Sequence, residues 1–83
     1  MDREKFSDFV KNFIKKHSPH LTNQLISIDI TTDLIDEGLV DSFLFIELCF
    51  AVEEETGFAI DISELEDDDF SIVKLFSKLK KEK

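Results

Sequence analysis

The stretch Asp41-Ser42-Phe43-Leu44-Phe45-Ile46-Glu47-Leu48-Cys49-Phe50-Ala51-Val52-Glu53-Glu54-Glu55-Thr56-Gly57 decides the fold. With 3.6 residues per helical turn, each side chain takes a known place on a wheel. Phe45, Leu48, Cys49, Val52 and Thr56 then fall along one mostly apolar stripe, the natural core face. Asp41 is a good N-cap and Gly57 a suitable left-handed end, so the spacing predicts a helix over 42–56. The opposite side holds Glu47 and Glu54, flanked by Glu53, yet Phe43 and Phe50 lie in its middle with Ile46 at its border. A bundle wrapped around the helix would bury these rings, but Glu47 and Glu54 would then need buried partners, and no base is nearby in sequence. An exposed ring forgoes roughly 1.5–3 kcal/mol of burial. The reading that accounts for both features is an interaction face, with apolar anchors ringed by acids.

Upstream, Phe6, Phe9, Val10, Phe13 and Ile14 follow the i, i+3, i+4, i+7, i+8 spacing of a buried helical stripe. Acids near its start (Asp2, Glu4), Lys15 and Lys16 near its end, and Pro19 just beyond give a first helix over about 3–17. Downstream, Ser63-Glu64-Leu65-Glu66 reads as a capping box opening a short third helix over about 63–68. Ile72, Leu75, Phe76 and Leu79 define a fourth over about 71–81. Residues 18–41 form a long connection, and a segment like that in a small domain is either functional or wrongly assigned. Ile26-Ser27-Ile28-Asp29-Ile30 and Phe58-Ala59-Ile60-Asp61-Ile62 each alternate apolar and polar residues. A two-stranded ribbon is conceivable but marginal alone; extended loops whose Ile residues plug gaps between helices are the preferred reading. The expected fold is all-α: a four-helix bundle with three longer helices, one short third helix, and a long loop between the first two. A chain of 83 residues allows a single domain over 1–83.

The net charge of −9 is unevenly spread. Between His17 and Val73 there are fifteen acids and no Lys or Arg, and all ten bases lie toward the two ends. That field repels phosphate backbones, which argues against nucleic acid as a partner and favours basic protein surfaces. Cys49 cannot form an internal disulfide and lies in an apolar run, as a reduced, packed thiol would. The charged N-terminus lacks a signal-like apolar stretch, and no run approaches the roughly 20 apolar residues of a membrane span. A cytoplasmic monomer without membrane insertion is expected.

The segment Asp33-Leu34-Ile35-Asp36-Glu37-Gly38-Leu39-Val40-Asp41-Ser42-Phe43, continued by Leu44-Phe45-Ile46-Glu47-Leu48, resembles the attachment region of acyl carrier proteins. That family shows Asp-Ser-Leu or a near variant, then two residues, an aliphatic residue, Glu and Leu; Asp41-Ser42-Phe43 and Ile46-Glu47-Leu48 occupy those places. The resemblance implies that a phosphopantetheinyl transferase moves 4'-phosphopantetheine from coenzyme A onto Ser42, beside the cap residue Asp41. It also implies a cargo held as a thioester, loaded by an acyl- or aminoacyl-activating ligase and passed to a downstream transferase or synthase. By the same resemblance, a small acyl group would tuck against Phe45, Cys49, Val52 and Ile60. Partners would meet Phe43, Ile46, Glu47, Phe50 and Glu54. Gly38-Leu39-Val40-Asp41-Ser42 looks closer to D-alanyl carriers and stand-alone carriers of specialised pathways than to fatty-acid carriers. Phe43 and Phe45 are bulkier than the family's usual residues, which would disfavour long acyl chains.

The remaining motifs point to no catalysis. Glu66-Asp67-Asp68-Asp69 lacks the alternating ligands and Gly of a calcium loop. His17 and His20 flank Pro19 with no Cys nearby, which is not a zinc pattern, so no metal is expected. No nucleophile–base arrangement or Gly-rich phosphate loop suggests an enzyme. The rival from another class is an acidic interaction adaptor or nucleic-acid mimic that uses the Phe43/Phe50 face and has no prosthetic group.

Overall fold

The computed structural model describes residues 2–66 and 69–81. Helix α1 spans Arg3–His17, with the Asp2 carboxylate accepting the Lys5 N–H at 2.8 Å. Phe6, Val10 and Ile14 are fully buried on the predicted stripe. The helix closes with the Ser18 N–H on the Ile14 carbonyl at 2.7 Å, immediately before Pro19.

The connection that follows is more structured than expected. Pro19–Leu21 form a 3-10 turn, and helix α2 runs over Thr22–Ser27. Hydroxyls complete both pieces: Thr22 donates to the Pro19 carbonyl at 2.7 Å and Ser27 to the Gln24 carbonyl at 2.9 Å. A six-residue helix that buries one side chain, Leu25, shows no readable stripe. The alternation at 26–30 is no strand: it straddles the end of α2, and Ile26 is 77 % exposed.

From Ile28 onward the chain is extended and turned, and hydrogen bonds hold it. Asp33 accepts the N–H groups of Ile35 and Asp36, at 2.9 and 2.8 Å. The Leu34 carbonyl accepts two N–H groups, from Leu39 at 2.9 Å and Val40 at 3.1 Å. The Leu34 N–H donates to Phe70 at 3.0 Å, and the Val73 N–H to Ile30 at 2.9 Å, which stitches the loop to the distant 70–73 segment. Leu34, Leu39 and Val40 are buried as a result.

Helix α3 spans Ser42–Thr56, as the wheel requires, and ends at Gly57 in the left-handed region (φ 75°). Strand β1 (Phe58–Ile60) follows and pairs antiparallel with β2 (Leu79–Lys81), with Phe58 opposite Lys81 and Ile60 opposite Leu79. A ribbon therefore exists, but its partner is the C-terminal tail and not residues 26–30.

Two helix predictions need correction. The third helix, expected over 63–68, is a single 3-10 turn at Ile62–Glu64. Its cap is Asp61, which accepts the Ser63 N–H at 3.1 Å and hydroxyl at 2.6 Å, so the capping box led by Ser63 never forms. Leu65 is already extended, and the Glu66 N–H goes to the Asp69 carboxylate at 3.0 Å; residues 67 and 68 of that prediction lie outside the described residues. The fourth helix, expected over 71–81, is α4 at Ile72–Ser77. Leu79 keeps the helical phase in sequence, yet as an extended residue it sits opposite Ile60, and its neighbours find acids there. Lys80 reaches Glu64 at 2.6 Å and Lys78 reaches Asp69 at 3.8 Å.

The outcome is a small helical bundle with four α-helices among the described residues, the second of them short and inside the connection read as a loop. Helix α1 packs on α2 and α4, and a Phe6–Phe76 ring pair at 5.6 Å joins α1 to α4. Phe45 presents an edge to Phe70 at 4.9 Å, which closes the core beneath α3. Among the described residues eight large side chains, Phe6 and Leu48 included, are fully buried, each worth roughly 1.5–3 kcal/mol.

Candidate functional site

Asp41 and Ser42 stand where the stitched loop becomes α3. The Asp41 backbone is extended, and its carboxylate accepts the Leu44 N–H at 2.7 Å while its carbonyl accepts the Phe45 N–H at 2.9 Å. The cap is therefore Asp41's carboxylate and not Ser42's hydroxyl. Ser42 is the first helical residue and is exposed. Its side chain leaves the helix at the end where backbone N–H groups lack intrahelical acceptors and the dipole is positive, a setting that favours an anionic substituent.

An open groove of about 500 Å³ starts at Ser42. Leu39, Val40, Asp41 and Leu44 line it from the site's own segment, Ile35 and Gly38 from the preceding loop, and Ser18, His20 and Leu21 from the turn after α1. None of the residues from that turn was a predicted site residue. The one sequence signal for them was the length of the 18–41 connection, because the groove forms only when Pro19–Leu21 folds back against 35–44.

The acidic face of α3 is exposed as the wheel implies. Phe43 is 63 %, Phe50 62 % and Ile46 41 % exposed, and Glu47 and Glu54 are exposed beside them. The four residues expected to touch an acyl group lie on the core side of the fold. Phe45, Cys49, Val52 and Ile60 are all buried in the core, and none of them lines the groove at Ser42. Burial pushes the Cys49 thiol up from its ordinary 9.0 to about 11.

The two histidines serve separate places: His17 stacks on Phe13 with ring centroids 4.3 Å apart, whereas His20 lines the groove. Asp69, from the acidic run, is buried and engaged with Glu66 and Lys78. No described helix is long and apolar enough to cross a membrane.

A family model described as a phosphopantetheine attachment site matches residues 21–75, more than half of the chain, from the turn before α2 to α4. No curated protein and no solved structure matches the chain.

Proposed function

This chain belongs to the phosphopantetheine-attachment family and carries that arm as its prosthetic group, and we propose that Ser42 is the residue that holds it. The observation that carries this reading is the exposed Ser42 at the first position of α3, with the capping duty met by Asp41, inside the matched segment. These residues suit a phosphodiester: the hydroxyl is accessible, and the helix end beside it favours negative charge. In the attachment step Ser42 Oγ forms a bond to the phosphorus nearer pantetheine. The pyrophosphate P–O bond of coenzyme A breaks, adenosine 3',5'-bisphosphate leaves, and the serine proton passes to a base of the transferase. Ser42 needs no activating neighbour in its own chain. When bound, the arm supplies a terminal thiol that holds a cargo as a thioester.

The finer reading is an acyl or aminoacyl carrier of the stand-alone kind, working in the cytoplasm as a monomer with an activating ligase and a downstream transferase or synthase. Support comes from the resemblance around Gly38–Ser42 and from the exposed face of α3. Phe43 and Phe50, flanked by Ile46, offer apolar anchors, while Glu47 and Glu54 offer charge to a basic rim.

Intact mass after incubation with coenzyme A and a broad-specificity phosphopantetheinyl transferase tests the assignment. The wild type gains one phosphopantetheine and Ser42→Ala gains none. Full loading of Ser42→Ala would move the site elsewhere, and no gain by the wild type would favour an acidic adaptor built on the Phe43/Phe50 face.

A further inference from the structure

We propose that the groove beside Ser42, and not the core between α3 and β1, shelters the distal arm and a short uncharged acyl thioester. This rests on Ser42 as the attachment residue. Ser42 itself lines the groove, so anything tethered to its hydroxyl starts there. In the core, by contrast, Phe45, Cys49, Val52 and Ile60 are buried, and the Phe45 and Phe70 rings pack edge to face at 4.9 Å. Seating a cargo among them requires displacing close-packed side chains, which interiors resist.

The groove's chemistry selects the class of cargo. Leu21, Ile35, Leu39, Val40 and Leu44 make its walls apolar, and His20 supplies a polar group suited to an amide or thioester carbonyl. Asp41 stands at the Ser42 side and repels an anionic cargo. The volume of about 500 Å³ lies within the range typical of small-molecule sites, roughly 300–1,000 Å³. Leu39 and Val40 are buried and hydrogen-bonded to the Leu34 carbonyl, so that wall is formed before any cargo arrives.

Tethering makes a weak site sufficient. A short flexible link gives a millimolar effective concentration, so an intrinsic affinity near ~0.1 mM keeps the cargo in the groove about nine-tenths of the time. The groove is open, which lets the cargo leave for a partner enzyme without unfolding.

The test begins with the chain loaded from hexanoyl-coenzyme A by the transferase, with loading checked by intact mass. Cleavage of the thioester by neutral hydroxylamine should run about tenfold slower than that of free hexanoyl-pantetheine, in proportion to the sheltered fraction. Leu21→Glu and Ile35→Glu, at half-buried rim positions, should restore the free rate while keeping the wild-type melting curve. In the unmutated protein, exchanging the bare arm for the hexanoyl arm should shift backbone amide resonances at His20, Leu21, Ile35 and Leu39. Cleavage of the wild type at the free rate overturns the proposal, as do shifts centred on Phe45, Cys49, Val52 and Ile60. If either variant misfolds, the wild-type shifts alone decide. A chain that takes up no arm overturns the carrier assignment and this inference together, whereas a loaded chain with an exposed thioester overturns this inference alone.

Discussion

The Asp41 carboxylate accepts the Leu44 N–H at 2.7 Å, and Ser42, which lies between them in sequence, keeps its hydroxyl out of the cap. The capping duty thus falls on Asp41, which leaves the neighbouring hydroxyl available for the attachment proposed above. Asp41→Ala should cost about 0.5–2 kcal/mol, the usual price of a lost N-cap. Ser42→Ala should cost less than half a kcal/mol, as exposed substitutions away from such features do. Urea denaturation of both variants measures the difference, and equal losses would show that Ser42 shares the cap.

Phe50 and Phe45 lie on opposite faces of α3, one 62 % exposed and the other buried. Phe45→Ala should lose about 3–5 kcal/mol, the scale for a buried Phe. Phe50→Ser should leave the melting temperature unchanged or higher, yet weaken docking to the transferase at every salt concentration. A loss of about 3 kcal/mol for Phe50→Ser would place that ring in the core and remove the docking face.

Exposed charges act chiefly on association rate and are screened over roughly 8 Å at physiological salt. Glu47→Lys and Glu54→Lys should therefore slow loading by the transferase at low salt, converge on the wild type as salt rises, and barely alter stability. Stopped-flow capture across a salt series reads this directly. A defect that persists undiminished at high salt would mean lost contacts and not lost steering.

Cys49 is an acid whose folded value, about 11, exceeds its ordinary 9.0. The unfolded chain releases this proton first as pH rises, so the unfolded state binds fewer protons and stability falls between those two values. The slope approaches 1.4 kcal/mol per pH unit at most. Cys49→Ala should flatten the alkaline decline relative to the wild type, as followed by denaturation at stepped pH. Before the arm is attached, a thiol reagent at neutral pH should modify Cys49 only slowly; fast labelling of the folded chain would show that the stripe is rotated.

Helices α1 and α3 were legible because each carries a stripe several turns long and ends in recognisable chemistry: Asp2 and Pro19 for the first, Asp41 and Gly57 for the second. The exposure of Phe43 and Phe50 was legible for the same reason, since a wheel fixes opposite faces together. Helix α2 was not, because Leu25 alone is buried in six residues and local hydroxyl bonds shape the rest. Leu79 misled because its spacing from Ile72 and Leu75 suits a helix, while pairing with Ile60 and ion pairs to Asp69 and Glu64 act across the fold. The groove was invisible in the same way: residues from 18–21 and 35–44 meet in space and share no periodicity.

The peptide group of Leu34 has a mechanical consequence. Its N–H holds Phe70, its carbonyl holds Leu39 and Val40, and α3 begins two residues after Val40. A chain with one proline and no disulfide has thereby made its longest irregular segment into a mount for the start of α3. A swinging arm sweeps a volume fixed by its own length only if its base stays still, and with Ser42 as the proposed base, the loop that leads into it is hydrogen-bonded to the 70–73 segment. On that assignment any enzyme that uses the cargo must bring its active site inside that sphere, so the length of the arm, and not slack in the carrier, sets how far the cargo travels.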